Sequence, residues 1–431
     1  MSQTNYQPWL HRFAVFTALA TLALLGVGGL VTSHGVGMAV HDWPTSYGYN
    51  MFALPFSIWF TGGIFQEHTH RQWASCVGVL VVLLTRWLGG EKSRKPLLIV
   101  GAVELAAGLA MFRIGADWRG AGGFLSGIGG VVLLVGAIWA RNSPAAKPLP
   151  RLGWWAFGLV QLQGLLGGLR VILDAQVIAG MKLGTAFGIF HACLGQAFFV
   201  LLCAIALLTG KWWVTNESRR PPGGKAILPF GALGASGRWL LVLTTLLVFL
   251  QLMIGATMRH QHAGLAIPDF PLTYGRLWPA MDADSVAGYN ARRIETTAAN
   301  PITATQVGLQ MAHRLLALMI LVCVSTVAWR TRRTHQGIGV RLRRLASLWL
   351  GLILLQIVLG AWTIWSDKAA DVATAHVLVG ALSLVTGALG CIIAFRYSTG
   401  PLETTALAAA SFDDARSDSF PGNPATVLNQ P

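Results

Sequence analysis

The sequence predicts an all-α integral membrane protein built as two tandem four-helix bundles, with an extra helical hairpin inserted in the first. Three observations carry this expectation. Of 431 residues, 54% are hydrophobic and only 11% charged, whereas soluble domains carry about 25% charged residues. Apolar runs of about 20 residues, long enough to cross a bilayer, recur from end to end. Short motifs also occur twice in the same order, the mark of a duplicated chain.

Ten apolar segments are expected, at 13–31, 66–88, 96–112, 122–140, 152–172 and 183–208, then 238–258, 305–329, 345–365 and 372–395. The first is read as a retained helix, because it is long and has no small-residue cleavage site close by. The third and fourth are the weakest, being short or glycine-rich, and Glu104 lies inside the third. The net charge of +15 is concentrated in alternate connections: "RWLGGEKSRK", "ARNSPAAKPLPR", "KWWVTNESRRPPGGK" and "RTRRTHQGIGVRLRR". The positive-inside rule places these on the cytoplasmic side, and ten crossings with both termini cytoplasmic fit every loop. The positive charge is therefore topological and no nucleic acid partner is expected, a polyanion-binding surface at the last cluster being the alternative. All five cysteines fall in expected helices, with no zinc, iron–sulfur or c-type haem spacing.

Four landmarks repeat. "HGVGMAVHDWPTSYG" (34–48) parallels "HAGLAIPDFPLTYG" (262–275), sharing Asp42/Asp269, Pro44/Pro271, Tyr47/Tyr274 and Gly48/Gly275. "QEHTHR" (66–71) parallels "QMAHRL" (310–315), "LQGLLGG" (162–168) parallels "LQIVLGA" (355–361), and "GIFHACLGQA" (188–197) parallels "TAHVLVGALS" (374–383). His70 to Gln163 spans 93 residues, while His313 to Gln356 spans 43. The extra length holds the third and fourth segments, so the hairpin at 96–140 is an insertion. The expected layout is a cytoplasmic N-terminus at 1–12, a first unit at 13–208, a cytoplasmic linker at 209–237, a second unit at 238–396 and a disordered cytoplasmic tail at 397–431. An even helix number gives both units the same orientation, related by a pseudo-twofold axis along the membrane normal.

Each unit offers one histidine on its second core helix and one on its fourth: His70 and His191, then His313 and His376. All four fall roughly 6–12 Å from the outer ends of their helices, at about 1.5 Å per residue. Two imidazoles facing each other across a bundle can ligate one haem iron from both sides; the plainer reading is helix packing. Arg71 and Arg314, next in sequence, are candidate partners for haem propionates, or they snorkel to the interface. Glu67 stands one turn from His70, and its counterpart Gln310 cannot exchange a proton near neutral pH. That asymmetry suggests chemistry in the first unit and electron passage in the second. His68 points about 200° away from His70 and is read as a loop or interface residue. Asp42 and Asp269 are read as turn caps, with a place near the haem edge as the minority reading. A surface copper or zinc site from His34, His41, His260 and His262 is a remote option, since no cysteine accompanies them.

Together, "EHTHR", the "AHR" and "TAH" motifs, "LQGLLGG" and "GLAIPDFP" resemble the heme A synthase family over roughly 13–396, the hairpin apart. The resemblance implies oxidation of the C8 methyl group of heme O to a formyl group through hydroxylated intermediates, for cytochrome oxidase biogenesis. It implies that His313 and His376 hold a haem b, that His70 and His191 bracket the substrate haem, and that Glu67 is a catalytic acid/base. It further implies a bacterial-type inner membrane, haem sites near the outer face, and a heme O synthase and an electron donor as partners; an oligomer stays open. Many bacterial relatives carry an outer-loop cysteine pair that is missing here. A quinol-linked di-haem cytochrome b is the alternative function, but it leaves the Glu67/Gln310 difference unexplained. A paired-repeat transporter would favour polar groups at the midplane, whereas here they gather at one end.

Overall fold

The computed structural model describes residues 6–115, 118–138, 144–178, 180–218, 234–292, 301–332 and 338–396. In order these form α1 (Pro8–Ser33), the short α2 (Phe56–Trp59), α3 (Ile64–Gly89), α4 (Glu91–Ile114), α5 (Arg119–Ala137) and α6 (Leu149–Ile172). A two-stranded ribbon, β1 (Val177–Ile178) and β2 (Met181–Lys182), leads into α7 (Leu183–Thr209). There follow α8 (Lys211–Ser218), α9 (Gly234–His260), α10 (Ala283–Ala291), α11 (Ala304–Thr331), α12 (Ile338–Trp365) and α13 (Ala370–Arg396). Among the described residues ten helices are long and apolar enough to cross a membrane, one for each expected segment. The expected tail at 397–431, and the expected linker from 219 to 233, lie outside the described residues. The linker's first residues form α8 instead of a loop.

Several helices run past their apolar segments, because charged residues at a membrane interface stay helical while hydropathy falls. Between α3 and α4 the expected basic loop is reduced to one residue, Gly90, at φ +52°, a conformation that glycine reaches without a Cβ clash. The buried Arg86 closes this elbow by donating to the Gly90 carbonyl and facing Glu91 at 3.5 Å.

The helices close into two rings. In the first unit α1 packs on α3 and α7, and α6 packs on the same two; in the second, α9 packs on α11 and α13, and α12 on the same two. Between the rings run α1 against α13, α7 against α9, and α7 against α13. Exchanging α1 with α9 and α7 with α13 maps this seam onto itself, which is the expected twofold relation. Each ring has its own core: Leu84, Leu202 and Ile205 lie in one, Val324 and Trp349 in the other.

The hairpin α4–α5 packs on itself and on α3. Its glycines, which weakened the sequence signal, let the two backbones touch. A Cβ at Gly101 would sit 2.7 Å from the Leu133 nitrogen, and one at Gly122 would sit 2.7 Å from the Gly108 carbonyl oxygen. Small residues at such crossings are a usual device where helices associate in lipid. The N-terminal end of α5 braces the 43–45 loop: Phe124 lies 5.0 Å from the Trp43 ring, and Gly120 faces Thr45 and Pro44. In the second unit, which lacks a hairpin, Trp365 takes this part, 6.2 Å from Phe270 at the position equivalent to Trp43.

Candidate functional site

The two repeated loops fold alike. Asp42 accepts the Tyr47 and Gly48 N–H groups at 2.7 and 2.9 Å, and Asp269 accepts those of Tyr274 and Gly275 at 2.7 and 2.8 Å. Both tyrosines sit at φ +54° followed by glycine at +76°, a left-handed pair that the aspartate holds by capping its N–H groups. Burial opposes the Asp42 charge, but the hydrogen bonds from Gly48, Thr45 and Tyr47 outweigh it and hold this carboxyl below its ordinary range.

Clamps tie these loops to the second helix of each unit. Glu67, buried at 4% exposure, accepts the Val40 N–H at 2.8 Å and pairs with Arg71 at 2.8 Å. Arg71 also donates to the carbonyls of Val40, Asp42 and Thr45. In the second unit Gln310 takes the Ile267 N–H at 2.7 Å and returns a bond to the Ile267 carbonyl at 3.2 Å. Arg314 donates to the Asp269 and Leu272 carbonyls. One amide side chain thus does alone what Glu67 and Arg71 do together, and both arginines turn toward the loops instead of snorkelling.

His68 differs from its expected place. It is fully buried, its ring lies edge-on to Trp59 at 4.8 Å, and its two nitrogens meet Ser46 and Gln72 at 3.1 Å. The 200° offset does turn it away from the bundle, but the 46–60 segment folds back and covers it.

Each of the four candidate histidines faces a glycine on a neighbouring helix of its own ring. A Cβ at Gly28 would lie 2.8 Å from His70 Cε1, and Cβ atoms at Gly167, Gly255 and Gly360 would lie 3.4, 3.3 and 3.3 Å from Cε1 of His191, His313 and His376. The first and third core helices thus supply notches for the imidazoles of the second and fourth. In three of the four cases a glutamine one turn before the glycine locks the helix pair. Gln163, Gln251 and Gln356 donate to the carbonyls of His191, His313 and His376 at 3.1, 3.0 and 2.9 Å.

The His70 and His191 ring centres stand 6.4 Å apart at 86°. An imidazole nitrogen lies about 2 Å from a first-row metal it ligates, which puts two opposed ring centres roughly 6 Å apart. His191 Nδ1 donates to the Gln163 carbonyl at 3.2 Å, leaving Nε2 as a ligand in the way metal-binding histidines are commonly oriented. Nδ1 of His70, His313 and His376 is buried without a partner, while all four rings remain partly exposed. Among the described residues no group of three or more His, Cys, Asp or Glu gathers as a metal cluster, and His70 and His191 face each other as a pair. Paired imidazoles in glycine notches fit an iron porphyrin better than a bare ion.

Composition gave no notice of Arg170 or Arg259, which the fold brings to the same end of the rings. The signal available was local: each follows a notch glycine by one turn, Gly167 for Arg170 and Gly255 for Arg259, and a cation inside an apolar run is costly unless used.

Residues 123–388, more than half of the chain, match the family model COX15-CtaA, described as a cytochrome oxidase assembly protein. His191, His313 and His376 fall inside that range; Glu67 and His70 precede it and are placed by the internal repeat. The chain is 27% identical to a heme A synthase of Caulobacter vibrioides over 53% of this chain and 60% of that protein. With a heme A synthase of Cereibacter sphaeroides it shares 32% identity over 58% of this chain and 61% of the relative. A heme A synthase of Sphingopyxis alaskensis matches at 25% over 86% of this chain and 88% of the relative. The chain spans about three fifths of the length of the first two relatives. With this match, the duplicated rings and the two histidine pairs together, the chain belongs to the COX15-CtaA family of cytochrome oxidase assembly proteins.

Proposed function

We propose that the protein oxidises the C8 methyl group of heme O to a formyl group, giving heme A through hydroxylated intermediates. The observation that carries this reading is the pairing of His70 with His191 at a spacing suited to one iron between them, beside a carboxylate that the second unit lacks. In this reading His70 and His191 hold the substrate haem in the first unit. His313 and His376 hold a haem b in the second, and when bound that group supplies a one-electron redox centre.

Glu67 is proposed as the acid/base. Its carboxylate is oriented by Arg71 and the Val40 N–H, so it stands ready to take a proton as the methyl carbon is oxidised. Such a group contributes by accepting a proton in the transition state, and a fixed geometry spares the cost of reorganisation. Arg314, whose Nε is buried without a partner, is retained as a partner for a haem carboxylate. The terminal nitrogens of Arg71 are engaged by Glu67 and three loop carbonyls, which favours a positioning role there. A heme O synthase would deliver the substrate and a separate electron carrier would turn over the haem b. Both termini are placed in the cytoplasm of a bacterial-type inner membrane, with the histidine pairs near the outer face.

The likeness of the two histidine pairs also suits a di-haem cytochrome b that only moves electrons. Co-expression with a heme O synthase, followed by extraction and mass spectrometry of the haems, separates the two. Hydroxylated or formylated haem that depends on this protein supports the oxidation. Unmodified heme O and haem b alone would leave the electron carrier.

A further inference from the structure

Two guanidinium groups inside membrane-spanning helices lack an anion of their own. Arg170 lies near the end of α6, one turn beyond Gly167, the notch for His191, and therefore on the same helix face. Its Nη2 lies over Gly37, where any β-carbon would strike it, and its Cδ passes 3.4 Å from where a Gly188 β-carbon would stand. His260 of α9 packs over the same Gly188, its Cε1 2.7 Å from where that β-carbon would stand. Arg259, beside it, reaches across the seam between the rings to the Gly29 carbonyl at 2.5 Å and to Ser33 Oγ. Arg170 is within electrostatic reach of His70, His191, His260 and Arg259.

The carboxylates in reach of Arg170 are Glu67 and Asp174, and each has another cation. Glu67 pairs with Arg71 at 2.8 Å, and Asp174 faces Lys182 at 3.9 Å. Among the described residues the Arg170 guanidinium has neither a hydrogen bond nor an ion pair with a protein acceptor. A cation in such a place is costly unless an anion joins it, and guanidinium is the side chain best matched to a carboxylate, which it holds by two parallel bonds. The repeat sharpens this, since the position equivalent to Arg170 in the second unit is Thr363, whose hydroxyl only donates back to the Leu359 carbonyl. Arg170 thus has no counterpart in the second unit, whereas Arg259 stands at the seam, within electrostatic reach of Arg170 and of His376.

We propose that Arg170, seconded by Arg259, is the carboxylate subsite of the first unit, taking the propionate groups of the porphyrin held between His70 and His191. This rests on reading that pair as a haem site. It sets Arg170, one turn outward of the ring plane's notch, as the residue that fixes which edge of the macrocycle points outward. The C8 methyl, which shares a pyrrole ring with one propionate, is thereby held at a constant place, and Arg170 acts as a positioning and specificity residue.

The test is a titration of the full-length protein, purified in detergent from haem-deficient cells, with iron protoporphyrin IX and with its dimethyl ester, followed by absorbance. The binding phase lost in His70→Ala identifies the first site. The wild type is expected to bind the free acid there at least about ten-fold tighter than the ester. Arg170→Gln should erase that preference by weakening only the acid, while Arg170→Lys, which keeps the charge and loses the fork, should retain part of it. Equal weakening of acid and ester in Arg170→Gln, or no preference in the wild type, overturns the subsite. So would an unchanged preference accompanied by loss of a co-purifying anionic phospholipid, which would assign the cluster to a lipid phosphate. No haem binding at the first site of the wild type would instead overturn the histidine-pair reading itself, and this subsite with it.

Discussion

Glu67 and Gln310 occupy equivalent places and accept equivalent backbone N–H groups, from Val40 and Ile267. Glu67→Gln therefore exchanges one working clamp for another and leaves the loop tied down. The expected outcome is unchanged haem content, a stability loss of about 1–3 kcal/mol as buried Arg71 loses its anion, and a fall in product of at least about 100-fold, measured by haem extraction from co-expressing cells. Full product formation by this variant would reduce Glu67 to a clamp. Gly28→Leu tests the notch: with only 2.8 Å between a Cβ there and His70, the larger side chain should displace the imidazole and remove first-site haem while sparing the second. Asp42→Ala should cost about 1–3 kcal/mol at neutral pH through loss of charged hydrogen bonds. Because the folded carboxyl is held below its ordinary range, that stabilisation is present above about pH 4 and is lost as the pH falls further. The gap in melting temperature between wild type and Asp42→Ala should accordingly narrow below about pH 4.

At the level of elements, the inserted hairpin has a structural task that its sequence did not disclose. Phe124 and Gly120 of α5 brace Trp43, Pro44 and Thr45, the loop that Arg71 ties to Glu67. Trp365 does this for the second unit from α12. Prying α4 from α5 with Gly108→Leu, where a Cβ would already meet the Gly122 carbonyl at 2.7 Å, should cost about 1–3 kcal/mol by overpacking. Amide hydrogen exchange should then quicken at 43–48 and stay unchanged at 270–275. Equal effects on both loops would show that the hairpin supports the whole bundle and not that loop.

Each histidine pair lies inside its own ring, and among the described residues the rings meet chiefly along α1, α7, α9 and α13. Loss of one pair should therefore leave the other standing. His313→Ala is expected to remove the second-unit haem while retaining the first-site absorbance band and the fold, as read by haem-to-protein ratio and visible spectra. Simultaneous loss of both would mean that the seam transmits packing from one site to the other.

The amino-acid sequence determined the ten spans, the duplication and the four histidines, because hydropathy, period and motif order are written along the chain and need no partner. It also marked Asp42 and Asp269 as turn caps through local turn chemistry. Tertiary structure decided what those residues meet. His68 is enclosed only because the 46–60 segment folds back over α3, and the glycine notches exist only where neighbouring helices close a ring. Arg170 and Arg259 lie 89 positions apart in the chain, and only the packing of α7 on both α6 and α9 brings them to one seam. Contacts of that kind depend on which helix faces turn inward, a property of the assembled bundle.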